Sequence, residues 1–181
     1  DRRLGILYGH GGGDTSGKRG YARTLASKQA NVTGWQGLSV EYRLAPEHPY
    51  PAAVEDAVKA WDDLMYQGYG ARDVVVAGDS AGGNLALVLT HLLKEAGRRL
   101  PRALILLSPW TDMTASGKSY QERAAIDPVL TVNYIHAVRD AYARDQDWSD
   151  FRLSPLFGDL QDFPPTPIQA GNTQPLPSAP I

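Results

Sequence analysis

The stretch that most constrains this chain is Val74-Val75-Val76-Ala77-Gly78-Asp79-Ser80-Ala81-Gly82-Gly83-Asn84-Leu85-Ala86. It opens as a β-branched run of the kind that forms a buried strand, passes through small residues, and continues as an apolar stretch compatible with a helix. Strand, tight turn, helix is the order this predicts. Inside the turn, Gly78-Asp79-Ser80-Ala81-Gly82 fits G-x-S-x-G, in which a sharp turn holds a serine in a strained conformation with its Oγ above the sheet. A Cβ at Gly78 or Gly82 is expected to collide with the neighbouring strand or helix, which is why small residues stand there. The Ser80 hydroxyl would also lie at a helix N-terminus, where free N–H groups and the dipole favour developing negative charge. An ordinary Gly/Ser turn has the same five letters, so the meaning of the pentapeptide depends on the rest of the chain.

The rest of the chain is globular in character. At 181 residues it is one domain's worth, and 43% hydrophobic against 21% charged residues is enough for a sizeable core. A net charge of −2 gives no electrostatic case for nucleic acid or an anionic membrane surface. The absence of cysteine excludes disulfides, thiolate chemistry and cysteine zinc sites. No apolar run approaches the roughly 18 residues of a membrane span, and no signal-peptide pattern opens the chain. A cytoplasmic location is the expectation, with a lost leader left open because the chain starts at Asp1.

Leu4 to Tyr8 reads as a buried strand running into Gly9-His10-Gly11-Gly12-Gly13. Successive glycines offer backbone N–H groups with no side chains in the way, which suits an anion or an oxyanion. Three readings stand side by side. His-Gly-Gly-Gly after a strand is the oxyanion loop of lipases and esterases. Gly12 to Lys18 satisfies G-x-x-x-x-G-K of a phosphate-binding loop, but Arg19 stands where Ser or Thr must hold Mg²⁺, and no strand stands out as a Walker-B partner. The third reading is a plain glycine-rich loop.

Lys18 to Ala30 has helical spacing, and Leu38 to Tyr42 alternates like a strand. The segment Tyr42-Arg43-Leu44-Ala45-Pro46-Glu47-His48-Pro49-Tyr50-Pro51 is held extended by its prolines. Val54, Ala57, Val58, Trp61, Leu64 and Met65 form one apolar helical face, ended by Gly68 and Gly70. Asp73 to Ala77 is the strand of the elbow and Ala81 to Ala96 its helix, stopped near Gly97; His91 on that helix has too few companions for a metal. Ala103 to Leu107 is the most apolar strand. Trp110 to Asp150 departs from the rhythm, with Asp127-Pro128 opening a segment whose Tyr134, Ile135, Val138 and Tyr142 form a helical stripe. Pro167 to Ala170 is one more short strand. Alternating strands and helices predict an α/β fold with a mainly parallel sheet flanked by helices, and ligands at the carboxyl ends of its strands.

The His10 loop, the Tyr-Arg-Leu-Ala-Pro-Glu-His-Pro segment and the Gly-Asp-Ser-Ala-Gly-Gly turn occur together and in order. This resembles the hormone-sensitive-lipase family of α/β-hydrolases, microbial carboxylesterases in particular, over roughly Leu4 to Gly171, with Ser154-Pro155-Leu156-Phe157 and Asp127-Pro128 adding to the likeness. The resemblance implies a serine carboxylesterase or lipase-like hydrolase of short to medium acyl esters that needs no cofactor or metal. Ser80 is then the nucleophile, and the N–H groups of Gly11, Gly12, Gly13 and Ala81 form the oxyanion hole. His10 supports the loop, Asp79 anchors the elbow, and Arg43 and Glu47 are candidates for a buried pair in scaffolding to which His48 belongs. A partial helical cap falls at about 110–150 and an irregular tail at 172–181, within a single domain. The implied partner is a small-molecule ester; relatives are often dimers, so a homodimer is a candidate assembly.

The resemblance breaks at the base and the acid. A serine needs a general base, and the base an orienting carboxylate. In the family both follow the last strand, yet Thr173 stands where the acid is expected and no histidine follows His136. Little precedes the first strand where the family has further strands and cap helices. The sequence is therefore read either as incomplete at both ends, a piece or imperfect version of a complete esterase, or as a crippled hydrolase fold whose exposed sheet edge makes it associate. From a different class comes a ligand-binding pseudoenzyme of the same fold, as in plant gibberellin receptors, which resemble this family and lack its histidine.

Overall fold

The computed structural model describes residues 3–16, 19–122 and 130–171. Lys18 of the phosphate-loop reading, Asp127-Pro128, Thr173 and the tail 172–181 lie outside the described residues. The architecture is a five-stranded parallel sheet in the order β2-β1-β3-β4-β5, with β1 Gly5–Gly9, β2 Gln36–Val40, β3 Val74–Asp79, β4 Ala103–Leu107 and β5 Ile168–Gln169. The helices are α1 Arg19–Thr33, α2 Ala52–Tyr66, α3 Ala81–Glu95, α4 Lys118–Glu122 and α5 Val132–Ala143.

Alternation along the strands builds two cores. Ile6, Tyr8 and Ala77 pack with Ala26 of α1 on one face of the sheet. Leu7, Val74, Val76, Leu104 and Leu106 pack on the other with Trp61 and Leu64 of α2 and Leu87, Leu89 and Leu93 of α3. A third cluster joins Leu85 and Val88 of α3 to Tyr42, Trp110, Ile135, Val138, Tyr142 and Leu153, and so seats α5 beside the carboxyl ends of the strands. Asn84, almost wholly buried, ties these parts together by donating to the carbonyls of Trp110 at 2.6 Å and Leu153 at 2.8 Å.

Helix ends follow the sequence closely. Gly68 (φ 93°) and Gly97 (φ 63°) supply the left-handed residue that closes α2 and α3, with Tyr69 N–H returning to Leu64 O and Arg98 N–H to Leu93 O. Gly70 has no part in ending α2; it sits at φ −77° ahead of a 3₁₀ turn. The strand expected over 38–42 instead spans Gln36–Val40, because its partner β1 runs out at the Gly9–Val40 pair. β5 is short for a chemical reason. Leu104 and Leu106 N–H groups donate to Pro165 and Pro167 carbonyls, and those prolines have no N–H to return.

Candidate active site

Ser80 stands at φ 50°, ψ −116°, between the end of β3 and the first residue of α3. A non-glycine residue adopts such a conformation only when its surroundings impose it. Here Ser80 N–H donates to Leu107 O at 3.0 Å, and Ser80 O accepts from Asn84 N–H at 3.1 Å and Trp110 N–H at 3.0 Å. The glycines on either side act as the sequence predicts: a Cβ on Gly78 would lie 2.4 Å from the Gly82 carbonyl, and one on Gly82 would lie 2.1 Å from Gly9 O.

The His10–Gly13 loop leaves β1 next to this turn. The ring of His10, 6% exposed, stacks on Tyr42 with centroids 4.4 Å apart, and its Nδ1–H donates to Gly11 O at 2.8 Å. The Tyr42 hydroxyl donates to His10 O. Both contacts tie the loop to Tyr42 and to its own backbone. Gly12 (φ 121°) and Gly13 (φ 61°) carry the loop onward, and Gly12 O accepts from Thr15 and Ser16 N–H. Among the described residues nothing takes the N–H groups of Gly12 or Gly13.

Two expectations are corrected here. Gly11 N–H is not a free oxyanion donor: it donates to Asp79 Oδ1 at 3.0 Å, because the carboxylate at the end of β3 reaches across to the neighbouring strand's loop. Arg43 and Glu47 do not form a buried pair. Arg43 is exposed and meets Asp56 and Glu55 on α2, with its backbone N–H also on Asp56 at 2.8 Å, while Glu47 is exposed in the turn beyond it. The helix brings two carboxylates to Arg43, whereas the proline-held segment points Glu47 to solvent.

A cavity of about 220 Å³ opens on Ser80, Gly12 and Gly13 and is walled by Trp110 and by Leu130, Tyr134, Ile135 and Val138 at and just before α5. Its wall is mostly apolar, with the serine, the loop glycines and the polar ends of Tyr134 and Trp110 as its polar features. Of these wall residues Tyr134, Ile135 and Val138 belong to the stripe visible in the sequence, whereas Trp110 and Leu130 carry no signal there. Beside the loop, Asp14 is fully buried at φ 57°, its backbone O accepting from Ala45 N–H at 2.7 Å. Among the described residues neither of its carboxyl oxygens has a hydrogen-bond partner, and burial pushes its pKa up to about 8.

None of the remaining histidines is among the residues that line the cavity. His91, 4% exposed, donates from Nε2 to Pro155 O at 3.0 Å between the rings of Phe151 and Phe163, and burial lowers its pKa. His48 is exposed, and His136 lies on α5. Among the described residues no histidine hydrogen-bonds Ser80, no group of three or more His, Asp or Glu is disposed to hold a metal, and no helix is long and apolar enough to cross a membrane.

A family model described as the alpha/beta hydrolase fold matches residues 6–179. Curated relatives include an esterase of Acinetobacter venetianus, 37% identical over 93% of this chain and 56% of its own length. An acetyl-hydrolase of Streptomyces hygroscopicus is 38% identical over 94% of this chain and 57% of its own. Among solved structures, an esterase from the bacterial hormone-sensitive lipase family superposes with a TM-score of 0.92 at 37% identity, over 97% of this chain and 59% of that one. EstE5 does so with a TM-score of 0.93 at 36% identity, over 97% and 60%. The chain thus spans somewhat more than half the length of these relatives. With its sheet order, its strained serine and its glycine loop, the chain belongs to the α/β-hydrolase fold family, in the hormone-sensitive-lipase branch.

Proposed function

We propose that the protein carrying this chain is a carboxylic ester hydrolase that works through a Ser80 acyl-enzyme. The observation that carries this reading is the strained Ser80 at the floor of an apolar cavity whose rim includes Gly12 and Gly13. In the reaction, Ser80 Oγ attacks the ester carbonyl, its proton is taken up by a general base or water and delivered to the departing alkoxide, and the carbonyl oxygen takes up negative charge in between. The N–H groups of Gly12, Gly13 and Ala81 receive that oxyanion; Ala81 opens α3, so its N–H has no intrahelical acceptor. Collapse of the tetrahedral intermediate expels the alcohol and leaves the acyl group on Ser80, to be released by water. The wall of Trp110, Leu130, Ile135 and Val138 suits a short to medium acyl chain.

A second reading, a ligand-binding pseudoenzyme, is favoured by one observation: no histidine among the described residues hydrogen-bonds Ser80. One experiment separates the two. Turnover of p-nitrophenyl butyrate that Ser80→Ala abolishes supports the hydrolase and eliminates the pseudoenzyme; turnover unchanged in Ser80→Ala sinks the hydrolase reading.

A further inference from the structure

The residue before the nucleophile does more than shape the turn. Asp79 Oδ1 accepts two hydrogen bonds at once, from Gly11 N–H at 3.0 Å and from the Tyr8 hydroxyl at 2.5 Å. The first joins the elbow to the glycine loop one residue before Gly12; the second joins it to the penultimate residue of β1. Register makes this possible. Tyr8 pairs with Ala77 across β1 and β3, so Tyr8 and Asp79, two residues on, project from the same face of the sheet. Tyr8 is wholly buried. Burial, then its hydrogen bond to Asp79, raise the phenol far above its ordinary value, so it stays protonated as a donor throughout the working range. The fit at the loop is tight, since a Cβ on Gly11 would lie 2.4 Å from Asp79 Oδ2.

We propose that Tyr8 and Asp79 are positioning residues for ester hydrolysis: they form a clamp that fixes the distance between Ser80 Oγ and the oxyanion donors Gly12 and Gly13. The carboxylate sits one residue from the nucleophile and holds a residue next to the donors, so elbow and loop move as one body. Tyr8 fixes the rotamer of the shared carboxylate. The same contact explains why Gly11 is not itself a donor to the oxyanion: its N–H is spent on the clamp. Misplacing such donors by about 1 Å is enough to cost on the order of 100-fold in rate, and removing one outright costs about 10²–10³-fold.

This inference rests on the ester-hydrolase reading. It is tested in the full-length protein with Tyr8→Phe, Asp79→Ala and Asp79→Asn, using p-nitrophenyl butyrate turnover per Ser80 titrated by a fluorophosphonate, together with inhibition by a trifluoromethyl ketone that forms an oxyanion on the serine. Tyr8→Phe should lower kcat about tenfold with KM within about twofold, and the ketone should weaken in parallel with kcat/KM. Asp79→Ala should lose more, and Asp79→Asn, whose amide oxygen still accepts from Gly11 and Tyr8, should recover most of it. A merely structural role would instead lower the number of titratable sites and leave kcat per site unchanged, and that result overturns the proposal. Ser80-independent turnover in the parent protein sinks the hydrolase reading and the clamp's catalytic role together. Unchanged kcat and ketone affinity in Tyr8→Phe and Asp79→Ala sink the clamp alone.

Discussion

Gly82 and Gly9 meet backbone to backbone: a Cβ added to Gly82 would stand 2.1 Å from Gly9 O and 2.8 Å from His10 O. The first turn of α3 is thereby pressed onto the end of β1, and Ser80 onto the loop that begins at His10. Gly82→Ala has to push helix and strand apart. Overpacking of this kind costs about 1–3 kcal/mol, read as a lowered urea midpoint with an unchanged slope. Because the displacement separates elbow from loop, labelling of Ser80 by a fluorophosphonate should also slow by at least about tenfold. Wild-type stability and labelling in this variant would contradict the packing described.

Asp14 gives a pH dependence with a definite sign. Its folded pKa of about 8 lies above its ordinary value of 3.8, through burial. Between those values the unfolded chain has released the proton and the folded chain still holds it, so stability falls as pH rises, by about 1.4 kcal/mol per pH unit from this group. The penalty is absent below about pH 4 and complete above about pH 8. Tyr42 and Tyr142 lie near the same carboxyl, and burial, then its charge, hold their hydroxyls well above the usual range, so both stay neutral and add no charge beside it. Asp14→Asn removes the slope. Urea unfolding at pH 5, 6, 7 and 8 should show the variant gaining on the parent protein at each step, and parallel curves would contradict the burial of an unpartnered carboxyl.

Tyr134 is 41% exposed and lines the cavity mouth, while its backbone N–H is held by the Thr131 hydroxyl that caps α5. Tyr134→Ala keeps that cap and should change stability by no more than about 0.5 kcal/mol. Widening the mouth should raise kcat/KM for an octanoyl over an acetyl ester several-fold, since one methylene in an apolar pocket is worth about 1–3 kcal/mol. An unchanged ratio would place the acyl chain elsewhere.

Those residues also show what the sequence discloses and what it withholds. The elbow is legible because its chemistry is local: a β-branched run, small residues and a helix leave one way to turn at Ser80. The alternation of strands with α1, α2, α3 and α5 follows from periodicity, and Gly68 and Gly97 from helix-ending chemistry, whereas the order of the strands in the sheet and α4 come from the structure. The roles of Tyr8 and Gly11 are not legible, because they arise from a register that sets Tyr8 beside Ala77 and from a carboxylate reaching between strands. Arg43 illustrates the same limit. Glu47 is near it in sequence, but the helix starting at Ala52 brings Asp56 and Glu55 nearer in space. Asp14 reads as one more polar loop residue, and only the packing of α5 and the Tyr42 segment against the loop buries it.

The most direct test of the account is mass spectrometry of the protein after treatment with a fluorophosphonate. The account predicts a single adduct on the peptide containing Ser80, abolished by Ser80→Ala with the fold retained. An adduct on a different residue, or none on a folded protein, would contradict it.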